Sequence, residues 1–241
     1  MNRILFKEQK GDYILRSNDP RFEHVRGVLR LQVGDTFDVG VINGKAGKAE
    51  VTKINAEAFH VTVNWCEAPP ALFPIILYIA YSRPQTAKKI LFEASVFGVS
   101  KICFFPSSKT DPGFPKSSIW TERKWESILI QGAEQAFQTR IPELHQYETM
   151  TQAFEDASRH DKNIRKIALD LFETNGKLSD CMKNDSPLIL ALGPEGGWSK
   201  SDRKRMDKYG FQRLEMGNRV MRCESALISA LAIIYSQRGW M

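Results

Sequence analysis

Cysteine and histidine are scarce in this sequence, which contains four of each among its 241 residues. The cysteines are scattered without a C-x-x-C pair, and the histidines show no metal-ligand spacing. Both absences argue against a disulfide framework and against a zinc site, so we expect reduced thiols and no bound metal. A membrane-spanning run is also missing, because the longest apolar-rich stretch, Ala71 to Tyr81, is short and interrupted by Pro74.

The N-terminal residues, MNRILFKEQK, lack the apolar segment of a secretory signal peptide. Together with the reduced cysteines, this predicts a cytoplasmic protein that has no membrane partner. Hydrophobic residues make up 42% of the chain and charged residues 26%, which is typical of a globular protein. The net charge of +6 suits a polyanionic partner, although many basic proteins bind no nucleic acid.

Two standard nucleotide-binding signatures, G-x-x-x-x-G-K-[ST] and G-x-G-x-x-G, are absent. A different glycine-rich loop stands near the C-terminus, where the apolar run Leu188 to Leu192 predicts a buried strand. The segment Gly193 to Gly197, GPEGG, follows at once, and its glycines permit positive φ and close approach of a ligand. Ser199 and Asp202 then form a capping-box pattern that opens a helix. In open α/β folds, ligands bind between such a strand end and helix start.

A second loop of the same kind follows one strand later. Phe211 to Glu215 is predicted as that strand, and Met216 to Arg222 as the bend after it. The helix that begins near Glu224 is apolar almost all round and is expected to be buried, either in its own domain or against a partner subunit. Its apolar positions are Leu227, Ile228, Leu231, Ile233 and Ile234. One glycine loop alone could equally be an ordinary turn, but two on consecutive strands favour a binding site.

Both loops carry family motifs. The first matches GPEGG-[FW]-S, and the second matches L-x-x-G-x-R-[IV]-[LM]-R-x-E-[ST]-A at a helix start. As LGPEGGWSKSD and LEMGNRVMRCESA, the pair resembles the SPOUT class of RNA methyltransferases, and within it the ribosomal RNA small subunit methyltransferase E family. That family methylates N3 of a uridine in 16S rRNA. The resemblance therefore implies S-adenosylmethionine as cofactor, small-subunit ribosomal RNA as partner, and a homodimer built on the last helix.

The chain is predicted to form two domains. Several short strands in residues 1–68 predict a small β-barrel, which agrees with the PUA-like, RNA-binding domain of the family. Residues 69–74 are the predicted linker, because Pro69 and Pro70 resist both helix and central strand. Residues 75–241 alternate strands with helices, which predicts an α/β domain with a mostly parallel sheet. Composition alone favours an unknotted Rossmann-like fold, whereas the resemblance implies a SPOUT domain with a C-terminal trefoil knot.

Three shorter segments have predicted local structures. Arg21 to Leu31 is expected to be helix-like, and Asn43-Gly44 is expected to turn a hairpin between two strands. Trp120 to Phe137 is predicted as one long helix.

The resemblance assigns the cofactor site to backbone groups of the two glycine loops. Glycines matter there because side chains would occupy the volume of the ligand. The residues implied to bind S-adenosylmethionine are Leu192, Gly193, Pro194, Glu195, Gly196, Gly197, Met216, Gly217, Val220 and Met221.

Methylation of uracil N3 is easier once its proton has left, and a nearby cation would stabilise the resulting anion. Arg222 is the first candidate for this cation, and Arg140 the second, acting across the dimer. Glu224 or Glu195 could accept the proton, directly or through water. For Glu224, stabilisation of the helix N-terminus is an equally good interpretation. Cys223 is interpreted as a packing residue, because N-methylation needs no covalent enzyme adduct.

The basic residues of the first thirty positions are candidates for RNA contact, of the kind that fixes the RNA without reading its sequence. The segment HVRGVLRLQVGD resembles the family motif H-H-x-x-x-V-L-R-L-x-x-G-D. On that resemblance, the RNA-binding candidates are Arg3, His24, Arg26 and Arg30. A solvated charged surface is as good an interpretation for each residue taken singly.

Two segments depart from the family pattern. Gln131 and Phe137-Gln138 break the motif of the long helix, and Glu93 to Val99 differ from the usual A-T-E-L-G-V. A diverged paralogue acting on another RNA therefore stays open, as does a non-catalytic RNA-binding protein that keeps the fold. A nucleotide-binding oxidoreductase is disfavoured by the missing G-x-G-x-x-G.

Overall fold

The computed structural model describes residues 3–67, 69–160, 163–180 and 186–241. The chain forms two compact units, which are Met1–Ala71 with Ile130–Ile141, and Leu72–Leu129 with Pro142–Met241. This division differs from a single linker at residues 69–74, because the chain returns to the first unit. The Leu5 N–H donates to the Glu134 carboxylate at 2.9 Å, and the Thr139 hydroxyl donates to the Gly44 carbonyl at 2.7 Å.

A five-stranded sheet forms the frame of the first unit. Its strands are β1 (Ile4–Phe6), β2 (Asp12–Arg16), β3 (Thr36–Val41), β4 (Ala46–Ile54) and β5 (Ala58–Glu67). They lie in the order β1-β3-β4-β5-β2, with β1 parallel to β3 and the other pairings antiparallel. The predicted hairpin turn is confirmed, since the Gly44 N–H donates to the Val41 carbonyl at 2.7 Å. Strand β1 is too short for an alternating apolar pattern to be recognised in its sequence.

The helix-like segment of the first unit consists of two different helices. Helix α1 (Pro20–Glu23) begins at Asp19, whose side chain accepts the Arg21 N–H at 2.9 Å. It continues as a π-helix, His24–Leu29, which ends at Arg30 with φ 53°. Phe22 and Val25 on this segment are buried against the sheet in the core of the unit.

The second unit is built on a six-stranded sheet. Its strands are β6 (Phe73–Ala80), β7 (Val99–Phe105), β8 (Glu143–Gln146), β9 (Arg165–Leu169), β10 (Leu188–Leu192) and β11 (Gln212–Leu214). The order is β11-β9-β10-β6-β7-β8, and every pairing between these strands is parallel. The predicted parallel sheet is therefore confirmed. Buried aliphatic and aromatic side chains fill both faces, as a parallel sheet covered by helices requires.

The helices beyond α1 are numbered in chain order. They are α2 (Pro84–Val96), α3 (Ser118–Thr121), α4 (Trp125–Gln135), α5 (Met150–Arg159), α6 (Lys200–Lys208) and α7 (Cys223–Arg238). The prediction of one helix from Trp120 to Phe137 is wrong. Arg123 has φ 53° and separates α3 from α4. Residues 121–124 are all exposed, so no packed face supports a helix across this point.

Among the described helices, none combines the length and the hydropathy that crossing a bilayer requires. In the same parts of the chain, no group of His, Cys, Asp and Glu side chains is arranged to hold a metal ion. The trefoil knot stays a prediction.

Candidate active site

A cleft opens at the carboxyl ends of three neighbouring strands of the second sheet, with a cavity volume of about 260 Å³. Leu192 ends β10, Leu169 ends β9 and Leu214 ends β11, and all three line the cleft. The ten residues predicted to bind cofactor also line it. The structure therefore brings the two predicted glycine loops to one cavity, at the sheet edge where α/β folds bind ligands.

A third wall of the cleft has no counterpart in the prediction. It consists of the last residue of β9, Leu169, and the three residues after it, which include Asp170 and the 65% exposed Phe172. The sequence of this segment, LDLF, carries no glycine pattern, so sequence motifs do not identify it. The available signal is topological, because β9 lies between β10 and β11 in the sheet.

The first glycine loop packs against a buried tryptophan. A Cβ on Gly193 would come within 3.1 Å of the Trp198 ring. Trp198 is only 3% exposed, and its indole N–H donates to the Leu169 carbonyl at 2.9 Å. A side chain at position 193 would enter the space that the Trp198 ring occupies, which explains the glycine.

Lys109 holds the other end of this loop. Its Nζ donates to the Gly196 carbonyl oxygen at 2.8 Å, and a Cβ on Gly196 would lie 3.3 Å from the Lys109 Cδ. Gly197 has φ 64° and open space around its Cα, so that position requires the left-handed conformation. Lys109 follows β7 in a segment without any motif, and sequence reasoning misses it.

The loop also depends on the start of helix α6. The predicted capping box is confirmed, because the Asp202 N–H donates to Ser199 Oγ at 3.0 Å and the Ser199 N–H donates to Asp202 Oδ2 at 2.9 Å. Asp202 is fully buried, and its Oδ1 also accepts the Ser108 hydroxyl at 2.8 Å. One carboxylate therefore fixes the helix start and the segment that carries Lys109.

Two acidic residues line the cleft, and both have partners. Arg203 donates to the two oxygens of Asp170 at 2.6 and 3.0 Å, and these hydrogen bonds raise the pKa of the Arg203 guanidinium. Glu195 Oε1 accepts the main-chain N–H of Arg83 at 3.0 Å.

The roles of the three predicted catalytic residues, Arg222, Glu224 and Arg140, stay predictions. Arg222 is the exposed residue that precedes α7, and it is not among the residues that line the described cleft. Glu224 Oε1 lies 3.1 Å from Lys89 Nζ, and a backbone hydrogen bond at the helix start, helped by Lys89, lowers the pKa of Glu224. Arg140 belongs to the first unit, whereas the cleft belongs to the second.

Cys223 has the environment of a packing residue. It is buried, and its thiol donates to the Gly193 carbonyl at 3.5 Å. Burial, together with the charges of Glu195 and Glu224, raises the pKa of the Cys223 thiol to about 12. A thiol of this kind stays neutral at physiological pH and is a poor nucleophile.

The predicted RNA-binding residues all lie in the first unit. The Arg3 guanidinium lies 4.4 Å from the Phe137 ring centroid, and the Arg26 guanidinium lies 5.7 Å from that of Phe22. His24 begins the π-helix and Arg30 ends it. Their role in RNA binding stays a prediction.

Comparison with known proteins places this architecture in a family. A model described as an RNA methyltransferase domain matches residues 69–235, and a model described as an RNA methyltransferase PUA domain matches residues 18–64. The ribosomal RNA small subunit methyltransferase E of Treponema pallidum is 30% identical over 97% of this chain and 90% of its own length. The chain belongs to the ribosomal RNA small subunit methyltransferase E family. The family predicted from the sequence is thereby confirmed, together with a PUA-like domain that precedes an α/β methyltransferase domain.

Further relatives and solved structures match over most of the chain. The Bacillus subtilis methyltransferase E is 23% identical over 89% of this chain and 86% of its own length. A crystal structure of the Neisseria gonorrhoeae methyltransferase E, bound to S-adenosyl methionine, matches with a TM-score of 0.78 at 19% identity, covering 99% and 98% of the two chains. A putative methyltransferase from Legionella pneumophila, in complex with bound SAM, matches at 0.80 with 23% identity, covering 97% and 96%. These structures share the fold of this chain.

Proposed function

We propose that this protein transfers the methyl group of S-adenosylmethionine to N3 of a uridine in small-subunit ribosomal RNA. The observation that carries the proposal is the 30% identity, over nearly the whole chain, to a ribosomal RNA small subunit methyltransferase E. The cleft supports it, because all ten residues that the family motifs imply for the cofactor line one cavity.

The residues of the cleft fit this cofactor. Leu169, Leu192 and Leu214 provide apolar walls for a flat adenine ring, and nucleoside pockets combine such walls with a few polar groups. At Gly197 and Gly217 an added Cβ would meet no atom within 4 Å, so the backbone there is open to a ligand. When bound, S-adenosylmethionine supplies the methyl group, and the electron pair of the broken carbon–sulfur bond stays on sulfur.

The protein residues bind the two reactants, orient them and accept a proton. Orientation supplies a large part of the acceleration in a displacement of this kind. Before N3 can form its bond to the methyl group efficiently, its proton must pass to a base. Glu195 lines the cleft, whereas Glu224 is paired with Lys89, so we place Glu195 first as the proton acceptor, directly or through water.

The first unit is proposed to hold the RNA. Arg3, His24, Arg26 and Arg30 would contact phosphates, and Arg26 and Arg30 are exposed as such contacts require. Binding through phosphates predicts an affinity that falls steeply with salt concentration, and substitution of Arg26 and Arg30 by alanine should reduce that salt dependence. An action on ribosomal RNA agrees with the predicted cytoplasmic location.

The homodimer is proposed to form through α7. Ile228 on this helix is 37% exposed, although Leu227 and Leu231 beside it are fully buried. Light scattering should give the mass of a dimer for the purified protein and that of a monomer for Ile228→Glu. A monomer for both proteins would contradict the assignment.

The first experiment is calorimetry of the purified protein with S-adenosylmethionine, S-adenosylhomocysteine and NAD. We expect micromolar affinity for the first two ligands and none for NAD. Small ribosomal subunits from cells that lack the methyl group would then be incubated with protein and S-adenosylmethionine. A methyl group on N3 blocks the Watson–Crick edge, so primer extension should stop at the modified uridine. Failure to bind S-adenosylmethionine would favour the non-catalytic RNA-binding alternative.

A diverged paralogue is the second candidate. Borreliella burgdorferi has two relatives, named methyltransferase E 1 and E 2, which are 26% and 21% identical to this chain. One organism can therefore hold two members of the family, and Gln131 and Phe137-Gln138 depart from the family motif. Transfer of methyl groups to another RNA, with none to the small-subunit RNA, would favour this candidate.

A further inference from the structure

Three cationic side chains are found among the described residues that line the cleft: Lys109, Arg203 and Arg219. Arg203 is committed to Asp170 by two hydrogen bonds. Arg219 lies on the exposed second glycine loop. Lys109 differs from both, because its hydrogen-bond acceptor is a neutral carbonyl oxygen, that of Gly196. Its positive charge is therefore not cancelled by that partner.

The backbone around Lys109 is fixed on both sides. The Ser107 N–H donates to Thr110 Oγ1 at 3.0 Å, and the Thr110 hydroxyl donates to the Tyr81 carbonyl at 3.3 Å. Between them, the Ser108 hydroxyl donates to the buried carboxylate of Asp202 at 2.8 Å. An electrostatic stabiliser acts best when its position is set before the reaction, and this segment meets that condition.

The Lys109 ammonium can donate more hydrogen bonds than the one that Gly196 accepts. A protonated lysine carries three N–H groups, and the Gly196 carbonyl uses one of them. The remaining donors belong to a side chain that lines the cleft beside the GPEGG loop. The lysine is held at the wall of the cavity by one hydrogen bond. Its remaining N–H groups can therefore stabilise negative charge that develops on an oxygen atom of the ligand.

We propose that Lys109 is a catalytic residue, whose ammonium binds a carbonyl oxygen next to N3 of the target uracil. This inference rests on the proposed function. The N3 proton passes to a base, and the charge left on the imide spreads to the carbonyl oxygen that Lys109 contacts. The N3 electron pair then forms the bond to the methyl carbon, the carbon–sulfur bond breaks, and the neutral thioether S-adenosylhomocysteine leaves. Lys109 keeps its proton throughout.

This assignment gives Lys109 the task that the sequence assigned to Arg222. Arg222 is exposed at the start of α7 and is not among the described residues that line the cleft. Lys109 lines it and touches the same loop that the motifs identify. The residue is hidden from motif reasoning because it is more than eighty positions away along the chain, after β7.

The test compares Lys109→Met and Lys109→Arg with Lys116→Met. Lys116 is exposed on the same connection after β7 and does not line the cleft, so its substitution removes the same charge elsewhere. Calorimetry gives the affinity for S-adenosylmethionine. Single-turnover methylation of unmethylated small subunits is measured across neutral and alkaline pH. Lys109→Met should lower the rate at neutral pH by about 100-fold, the usual loss for one such donor.

The dependence of the rate on pH distinguishes a catalytic role of Lys109 from a role that is limited to holding the GPEGG loop. Without the cation, the apparent pKa of uracil N3 in the complex should rise, so the deficit of Lys109→Met should shrink as pH increases. Lys109→Arg should recover most of the rate, and Lys116→Met should match the unsubstituted protein. Affinity for S-adenosylmethionine should change little in Lys109→Arg and Lys116→Met, and any loss of affinity in Lys109→Met should be much smaller than its loss of rate.

A binding measurement gives a readout without turnover. Small subunits are reconstituted with RNA that contains 5-fluorouridine, whose N3 is more acidic, and are titrated with protein in S-adenosylhomocysteine. Affinity should increase with pH for the unsubstituted protein and should lose that increase in Lys109→Met. An unchanged pH dependence, or a rate loss fully matched by lost cofactor affinity, would overturn the role of Lys109 while leaving the proposed function standing. Absence of N3 methylation by the unsubstituted protein would overturn both.

Discussion

The two glycine loops of the cleft differ in how the protein holds them. The first, Gly193 to Gly197, is packed on Trp198, tethered by Lys109 and joined through Glu195 to the Arg83 main chain. The second, Met216 to Arg222, is largely exposed, and its Val220 side chain is 84% exposed. The first loop is therefore held in place by contacts with the rest of the protein. The second loop is exposed, and a ligand or a partner could cover it.

The two loops also follow different kinds of strand. The first loop follows β10, an interior strand with neighbours on both sides. The second follows β11, a three-residue strand at the edge of the sheet. The outer side of β11 is bonded to residues 175–178, and Leu214 is buried, so the exposed part of the chain begins after the strand, at residues 218–222. Substitutions in the first loop should therefore change stability, whereas those in the second should mainly change binding.

The largest effect is expected for Trp198→Ala, which removes the support of the first loop. The ring is buried, stacks with Phe105 at 6.4 Å between centroids, and lies against Gly193. The free energy of unfolding should fall by about 3–5 kcal/mol, as for other buried tryptophans. Urea denaturation measures it. A loss below about 1 kcal/mol, the ordinary effect of a point substitution, would show that the ring does not hold the loop.

Asp202→Ala should have the next largest effect. It removes a buried carboxylate that accepts hydrogen bonds from Ser199 and Ser108, and it leaves the Ser199 main-chain N–H without this acceptor. We expect a loss of about 1–3 kcal/mol in the free energy of unfolding. Lys204→Ala, an exposed change on the same helix, is the matched control. Equal unfolding midpoints for the two variants would contradict this role of Asp202.

Gly197→Ala tests backbone conformation without steric contact. Gly197 has φ 64°, and an added Cβ would meet no atom within 4 Å. The cost should be about 1–2 kcal/mol, which is the strain of placing a side chain in the left-handed region. Thermal unfolding measures this cost against that of Gly27→Ala, where φ is not positive and the space is also open. Similar melting temperatures would mean that the loop relaxes.

The smallest change in stability is expected for Val220→Ser in the second loop. An exposed side chain has little packing to lose, so the free energy of unfolding should change by less than about 0.5 kcal/mol. Calorimetry should nevertheless show S-adenosylmethionine binding weakened several-fold, because the apolar side chain lines the cleft. Unchanged affinity would remove Val220 from the proposed cofactor site.

Local sequence patterns predicted much of this fold. Strand β10 begins and ends where its apolar run does, because a strand buried on both faces has no polar position to interrupt it. Ser199 and Asp202 predicted the start of α6, since a capping box is complete within four residues. The helix break at Arg123 was missed, because an exposed polar stretch of good helix formers gives no local stop signal.

The sequence by itself determined the two glycine loops, the parallel sheet and the family, because each depends on short-range patterns or on motifs. The tertiary structure alone decided that residues 169–172 form a third wall, that Lys109 reaches Gly196, and that Ile130–Ile141 belong to the first unit. All three depend on which strands and segments become neighbours in space. The order β11-β9-β10-β6-β7-β8 brings distant parts of the chain together, and local periodicity carries no record of that order.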